Sequence, residues 1–450
     1  MVAGAGGGLV AALRAAQLGQ SVLVLEANKH FRRGNNTAMS TAMIPAAGSR
    51  FQSEASVADS PEAFVADIMA KTHGEADPVL ARALAEVSGR LVEWMADDLA
   101  IPLSLVTDFP YPGHSSFRCH TVPGRIGTVL LDLLMAEVTK SELIDMYVPA
   151  RLIDVLAPDG VVNGVVVETR EGREEVPTRA VLLATNGFGA DHELVQRYIP
   201  EIADAVYHGS EESTGDALRI GAKLGAESAY LDAYQGHAAL AMPSATLAGW
   251  ATVMHGGFLV NTGGERFGDE TQGYSEYAKE SLAHAHGRSW IIIDQRIHDA
   301  CLSFQDFRDT VETGGLRWAG DVRALAAQIG VDADGLRNTL VQARNAALGR
   351  AADPFGRTSW EAPLEGRLGA IAVRPALFHT QGGLRVDAHA RVLRPDGSPI
   401  PGLYAAGGAA MGISGHGAGG YLAGNGLLPA LGLAFLAAED AARCFAERNS

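Results

Sequence analysis

An α/β fold in which one domain is inserted into another is predicted by three features of the chain. A glycine turn, Gly4-Ala5-Gly6-Gly7-Gly8, leads through an alanine-rich stretch to the apolar strand Val22-Leu23-Val24-Leu25 and an acid, Glu26. A second buried strand, Ala180-Val181-Leu182-Leu183-Ala184-Thr185-Asn186-Gly187, ends in small residues, as a central parallel strand does where its carboxyl end meets a ligand. A middle third of different texture, about residues 231–360, separates these from strand and turn signals that return near the C-terminus.

The order strand, glycine turn, helix, strand, acid predicts a dinucleotide. Glycines let backbone N–H groups at a helix N-terminus approach a pyrophosphate, and an acid about 20 residues on can accept from a ribose hydroxyl. Gly4, Gly6, Gly8 and Glu26 are the residues so placed, although the third glycine is one residue short of G-x-G-x-x-G and Leu9 stands in its place. The segment Arg33–Ala42 is rich in small and amide residues and can lie against a planar ligand, which nominates Asn36, Thr37 and Ser40. A short strand over Val148–Val155, with Ala150 assigned to the cofactor, is joined through Pro158-Asp159-Gly160 to an alternating strand over Val161–Glu168. Ala184, Thr185 and Gly187 close the second central strand, and Ser213-Thr214-Gly215-Asp216 opens a capped helix with Asp216 at the cofactor.

From Leu231 to Trp360 the pattern is a strand-turn-strand, Gly257–Asn261 with Gly263–Phe267, then helices over Asp321–Gln328 and Asp334–Leu348. Strand and turn return at Gly383–Asp387 and Gly402–Gly408, and an apolar helix closes the chain from about Gly426 to Glu447. The domain reading is 1–230 and 361–450 as two parts of one nucleotide domain, with 231–360 inserted.

Composition narrows the function. The 450 residues suffice for two or three domains, and 47% hydrophobic content with mean hydropathy +0.06 fits a well-packed α/β protein. A formal net charge of −16 argues against nucleic acid or an anionic membrane as partner. Cys119, Cys301 and Cys444 lie far apart, without the spacing of a disulfide framework, a haem attachment or a redox pair. The acids show no metal-ligand spacing, and no secretory or membrane-spanning segment is evident, so the expected location is cytoplasmic.

Six segments in order resemble the flavoprotein family of fumarate reductase and succinate dehydrogenase, which also contains the 3-ketosteroid dehydrogenases. They are the N-terminal fingerprint with Glu26, Gly34-Asn35-Asn36-Thr37, Leu183–Gly189, Gly264-Glu265-Arg266-Phe267, His379-Thr380-Gln381-Gly382-Gly383-Leu384 and Gly402–Gly407. The resemblance implies a Rossmann-like FAD-binding domain, a mobile α+β capping domain inserted in it, and hydride exchange between flavin N5 and a carbon–carbon bond next to a carbonyl. Members with covalent flavin carry a histidine beside the glycine–asparagine segment. None is present here, which implies noncovalent FAD. Gly407 belongs to the cofactor set. Gly408 stands where the family often has an acid or amide, which puts a ribityl contact in question. Asn425, Leu427 and Leu428 begin the last helix, whose free N–H groups and dipole suit the N1–C2=O region of a flavin.

Substrate chemistry needs a proton donor or acceptor at one carbon and donors on the carbonyl oxygen. The arginines that fumarate reductases use for these tasks correspond to about Tyr274 and to Gly420-Tyr421, and no arginine lies between Arg266 and Arg288. Ketosteroid dehydrogenases place a catalytic tyrosine at the first of these distances, so Tyr274 is the expected acid or base. His379 matches a substrate-binding histidine, with His237 as a second candidate. Arg118, His120 and Arg125 form a cationic run that could hold an anionic or carbonyl group, and His416 among the C-terminal glycines could contact flavin or substrate. The expected activity is FAD-dependent hydride transfer across a C–C bond α,β to a carbonyl or carboxylate, with fumarate not the substrate. The alternatives are a ketosteroid-type dehydrogenase of an apolar cyclic ketone and a flavoprotein subunit that passes electrons to a partner protein.

Overall fold

The computed structural model describes residues 1–108, 111 and 113–449. They form two compact units, 1–199 with 209–235 and 379–450, and 200–208 with 236–378. The insertion thus begins at 236 and reaches 378, where the sequence reading sets 231 and 360. Residues 361–378 carry most of a long strand, Leu368–Thr380, around which the inserted sheet is built. Its apolar alternation would suit a strand of either sheet, so sequence alone could not assign it.

In the first unit a six-stranded sheet has the order Arg391–Leu393, Pro399–Ala405, Val181–Leu183, Val2–Ala3, Val22–Leu25, Ile144–Tyr147. All neighbours are parallel except the antiparallel edge pair. The two-residue first strand is paired on both sides, Val2 lying between Leu182 and Val24. Its β-branched and leucine neighbours are buried on both faces, as central parallel strands require. The helix Gly7–Gln17 lies against the closing helix Leu427–Asn449, and a Cβ on Gly7 would stand 2.4 Å from Ala430 O. Glycine is therefore what lets these two backbones touch.

The helix Pro78–Asp97 starts on an Asp77 side chain that accepts from the N–H groups of Val79 and Leu80, with proline in the first turn where no donor is missed. Its Trp94 packs edge-on against Phe435 of the closing helix, ring centroids 5.1 Å apart. The anticipated hairpin is present as Arg151–Leu156 with Gly164–Thr169, extended by Gly172–Pro177. The helix near 216 spans Asp216–Lys223 and is preceded by Gly215 in a left-handed conformation, with no side-chain cap. The expected cap is absent because the Ser213 hydroxyl instead accepts from Asn186.

The inserted unit has its own sheet, in which Leu368–Thr380 pairs with Val206–Tyr207, Tyr234–Ala241, Ser289–Asp294 and Leu316–Ala319, and Phe258–Val260 adds to Ser289–Asp294. The segment Gly263–Phe267 is not the second arm of a hairpin. Asn261 N–H donates to Glu265 O across a turn, and Arg266 turns inward to charged partners rather than pairing in a ladder. Helices Val322–Ile329 and Ala333–Ala347 are capped by Asp321 and Asp332.

The closing helix is fixed to the sheet by Asp440. Its buried carboxylate accepts two bonds from Arg391, at 2.6 and 2.5 Å, and one from Tyr404 Oη at 2.9 Å, and it also pairs with Arg443. Burial alone would raise its pKa, but these donors outweigh it and hold the carboxyl at about 2. A lowered pKa stabilises the fold above the ordinary carboxylate value of about 3.9, and that stabilisation is lost as pH falls through about 2. Asp440→Asn is expected to cost about 3 kcal/mol at pH 7. Urea unfolding should show the wild type losing this advantage between pH 4 and 2 and the variant lacking that loss.

Candidate active site

The glycine turn brings three backbones together. Gly4, at φ 105°, would place a Cβ 2.1 Å from Ala184 O, so only glycine lets the first strand end against the second central strand. Gly6, at φ 74°, would meet the Thr37 hydroxyl at 2.5 Å, and Gly8 would meet a Val2 methyl at 2.6 Å. The helix beginning at Gly7 has neither a side-chain cap nor an acid in its first turn, and although Leu9 N–H donates to Gly6 O at 3.1 Å, the N–H groups of Gly7 and Gly8 and the positive end are left for an anion. Glu26 accepts from Ala5 N–H and Asn28 N–H, both at 2.8 Å. A carboxylate has about four lone-pair sites, so these N–H groups leave capacity for a ribose hydroxyl. Burial raises the Glu26 pKa against the lowering effect of those N–H groups. Ala150 N–H donates to Glu26 O at 2.8 Å, so this residue sits at the same strand end.

The segment after Gly34 is anchored by its own side chains. Asn36 Oδ1 accepts from Ser210 N–H at 2.7 Å, Ser40 Oγ donates to Thr37 O at 2.7 Å, and Ser40 O accepts from Gly127 N–H at 2.8 Å. At the end of the Val181–Leu183 strand, the Thr185 hydroxyl is buried without a partner. Gly187 would place a Cβ 1.9 Å from the Thr380 hydroxyl, and Gly407 has φ 61°. Gly408 faces Asn186, where a Cβ would lie 2.6 Å from Asn186 Oδ1 and 2.7 Å from Gly187 N. No side chain fits at 408, and the polar group beside it comes from Asn186, itself at φ 64°.

Among the described residues of this unit four more buried polar atoms lack partners, Arg14 Nε, Arg50 Nε, Asn425 Oδ1 and Gln381 Nε2, and the last two lie in or beside the C-terminal glycine-rich segment. An uncapped helix start, a buried acid at the end of the neighbouring strand and unpartnered buried groups beside a glycine-rich segment fit the two halves of FAD. Leu427 and Leu428 do not offer free N–H groups, since both donate to Gly424 O at 3.0 Å. What remains at that helix start is its dipole. Asp216 pairs with Arg151 at 2.6 Å and with Arg219, which fixes its carboxylate at the start of the helix Asp216–Lys223.

The cationic run is also structural. Arg118 is fully buried, with Nε and Nη2 on Asp59 at 2.8 and 2.7 Å, Nη1 on Asp67 at 2.6 Å and on His114 at 3.1 Å, and its guanidinium over the Phe64 ring. No donor faces outward for a substrate. His120 is enclosed between the Ser49 hydroxyl at 2.8 Å and Arg118 O at 2.9 Å, and burial pushes it down to about 4. Arg118 and His120, expected in the catalytic set, are thus both engaged by the protein's own groups in this structure. Arg125 pairs with Asp108, and His416 is exposed and held by Asp232 at 2.8 Å.

His379 belongs to the first unit. Its Nε2 lies 3.0 Å from where a Cβ on Gly426 would stand, its ring is 6.2 Å from that of Tyr421, and burial lowers it to about 4, which keeps it neutral. Tyr274 belongs to the inserted unit. Its ring stacks on His237 at 4.8 Å, His237 stacks on Phe378 at 5.2 Å, and Trp250 meets both His237 and Tyr274 edge-on. Burial takes His237 down to about 3. Arg266 is closed off by two bonds to Glu270, at 2.9 and 2.8 Å, and a pair with Asp353, and Arg357 adds a further bond to Glu270 at 3.2 Å.

The FAD binding domain family matches residues 1–427. The chain belongs to it. It is a flavoprotein oxidoreductase with a fumarate-reductase-like fold. NADH:fumarate oxidoreductase of Klebsiella pneumoniae (strain 342) is 29% identical over 449 residues, covering 98% of this chain and 47% of the relative. The chain thus spans about half the length of that relative. The open conformation of a flavocytochrome c3 fumarate reductase superposes with a TM-score of 0.83 at 26% identity, covering 98% of this chain and 77% of that one. The 3-ketosteroid delta1-dehydrogenase from Sterolibacterium denitrificans has a TM-score of 0.80 at 20% identity, covering 98% and 99%, a likeness of fold. No helix among the described residues is long and apolar enough to cross a membrane.

Arg118→Met is expected to lower stability by about 3–5 kcal/mol, because it strands Asp59 and Asp67, while leaving FAD affinity in the folded fraction unchanged. Gly6→Ala should weaken FAD at least tenfold and, because φ 74° and the close approach of Thr37 strain any Cβ there, lower the melting temperature of the apoprotein as well. Flavin titration beside thermal unfolding separates the two.

Proposed function

We propose that the chain transfers hydride across a C–C bond α,β to a carbonyl or carboxylate, that fumarate is not its substrate, and that FAD is held noncovalently. Bound FAD supplies the hydride donor or acceptor at N5. The protein must then supply a proton at the neighbouring carbon and a hold on the carbonyl oxygen. The reading is carried by Tyr274, which stands in a stretch with no arginine from 267 to 287 and whose nearest preceding arginine, Arg266, is bound to Glu270 and Asp353. In this proposal Tyr274 carries the exchanging proton.

His379 is assigned to the carbonyl oxygen. Its Nδ1 makes only a long contact, 3.4 Å, with Thr380 O, and in this proposal the neutral ring gives up that contact and carries its single proton on Nε2 when it donates to the carbonyl oxygen. Gly420-Tyr421 offers no cation for a second carboxylate, which supports exclusion of fumarate. The names of the fumarate-reducing relatives support an α,β-unsaturated carboxylate. The stack of Tyr274, His237 and Phe378 favours a second reading, an apolar cyclic ketone. Electron exchange with a separate protein or soluble carrier, and a cytoplasmic location, complete the proposal.

Photoreduced holoenzyme mixed anaerobically with enoates, dicarboxylates and enones should be reoxidised by a monocarboxylate enoate or an enone and not by fumarate at enzymic rates. Tyr274→Phe should slow that reoxidation about 10²–10⁴-fold with FAD content unchanged, and an indifferent variant would remove the assignment. Acid precipitation should leave FAD in the supernatant. Because His379 and His237 are neutral above about 4 and 3, neither should contribute a limb to the pH profile between pH 5 and 8, and a loss of rate should set in only as pH falls toward 4.

A further inference from the structure

We propose that Gln381 recognises the ring system of the flavin, its amide N–H donating to a ring carbonyl while Asn425 Oδ1 accepts the adjacent imide N–H. Gln381, Ser414 and Asn425 are 4%, 1% and 3% exposed. The Ser414 hydroxyl donates to Gln381 Oε1 and accepts from Asn425 Nδ2 at 3.1 Å. One hydroxyl thereby orients both amides. The oxygen of Gln381 and the nitrogen of Asn425 are used, and Gln381 Nε2 and Asn425 Oδ1 are left buried with no partner in the protein. Such atoms are uncommon in native proteins because each forfeits its hydration without return.

The root of the Gln381 side chain is fixed as well. Gln381 N–H donates to Ala233 O at 2.7 Å, and Gln381 O accepts from Gly412 N–H at 2.8 Å. A swing of the amide toward another acceptor would break the Ser414 bond. The unmet pair is one donor and one acceptor, complementary to a C=O beside an N–H. The oxidised isoalloxazine has a single ring N–H, at N3, flanked by two carbonyls. The adenine edge offers a donor and an acceptor too, but the acid placed for its ribose, Glu26, lies at the glycine turn, whereas Asn425 adjoins Gly424 at the start of the closing helix. A donor held on a ring carbonyl also favours the reduced ring, whose negative charge spreads onto that oxygen. This inference rests on the family's FAD and not on the substrate proposal, so either can fail alone.

Two measurements test it. In holoenzyme, Gln381→Met, close in volume but without the amide, should lower the flavin reduction potential and release FAD about tenfold faster. Wild-type apoprotein reconstituted with 3-methyl-FAD, which lacks the imide N–H, should bind it at least about tenfold more weakly than FAD, while 5-deaza-FAD, which keeps the imide edge, binds as FAD does. If Gln381→Met does not fold, the analogue titration decides. Equal affinity for FAD and 3-methyl-FAD would overturn the proposal. So would a folded Gln381→Met with unchanged potential and FAD release, including one altered only in substrate KM, which would place Gln381 on the substrate instead.

Discussion

The first unit depends on the contact between Gly4 and Ala184. Parallel strands can end side by side with a ligand at their carboxyl ends only if the backbone there stays bare, and a single methyl at position 4 would fall 2.1 Å from a carbonyl oxygen. From this approach follow the short pairing of Val2 between Leu182 and Val24, the exit of the chain through Gly6 into a helix without a cap, and the placement of Thr37 over the turn. Gly7 repeats the device one step later, against Ala430. The glycine run serves steric ends at each of these positions, and its polypeptide N–H groups become available to an anion as a result.

Much of the first unit was legible because its signals are local. A Val-Leu-Val-Leu strand with a following acid, or a helix opened by Asp77-Pro78, needs no distant information. The inserted sheet was less legible, since the partner of Phe258–Val260 is Ser289–Asp294, some thirty residues on, and not the adjacent Gly263–Phe267. Within the site, Gly4, Gly6 and Glu26 could be read from spacing. Gln381 and Ser414 could not, because the feature that singles them out is a pair of atoms with nothing to bond to. That is a property of burial, which a sequence does not display. Asn186 carried one faint signal, an amide where a strand gives way to a turn.

Arginines are hard to assign from sequence for a physical reason. A guanidinium suits a carboxylate whether that carboxylate comes from a substrate or from the protein, and here Asp59, Asp67, Glu270, Asp353 and Asp440 take that part. Arg118 and Arg266 are both neutralised inside the fold, one in each unit. Two buried carboxylates around one arginine give a cluster whose geometry is tightly held and whose removal is costly. These clusters order the segments that carry them, and in the function proposed above substrate recognition falls to neutral groups such as Tyr274 and His379.

The sheet order has a consequence for how the chain is made. The strand Val181–Leu183 takes Pro399–Ala405 as its neighbour, so a growing polypeptide exposes that edge until more than two hundred further residues have left the ribosome. The inserted sheet needs nothing beyond residue 378 apart from the last two residues of its long strand and can close earlier. Parallel pairing across such a separation is slow and leaves sticky edges in the meantime. All strands of the inserted sheet have therefore emerged before the first sheet's last strands and the closing helix exist to complete the first unit.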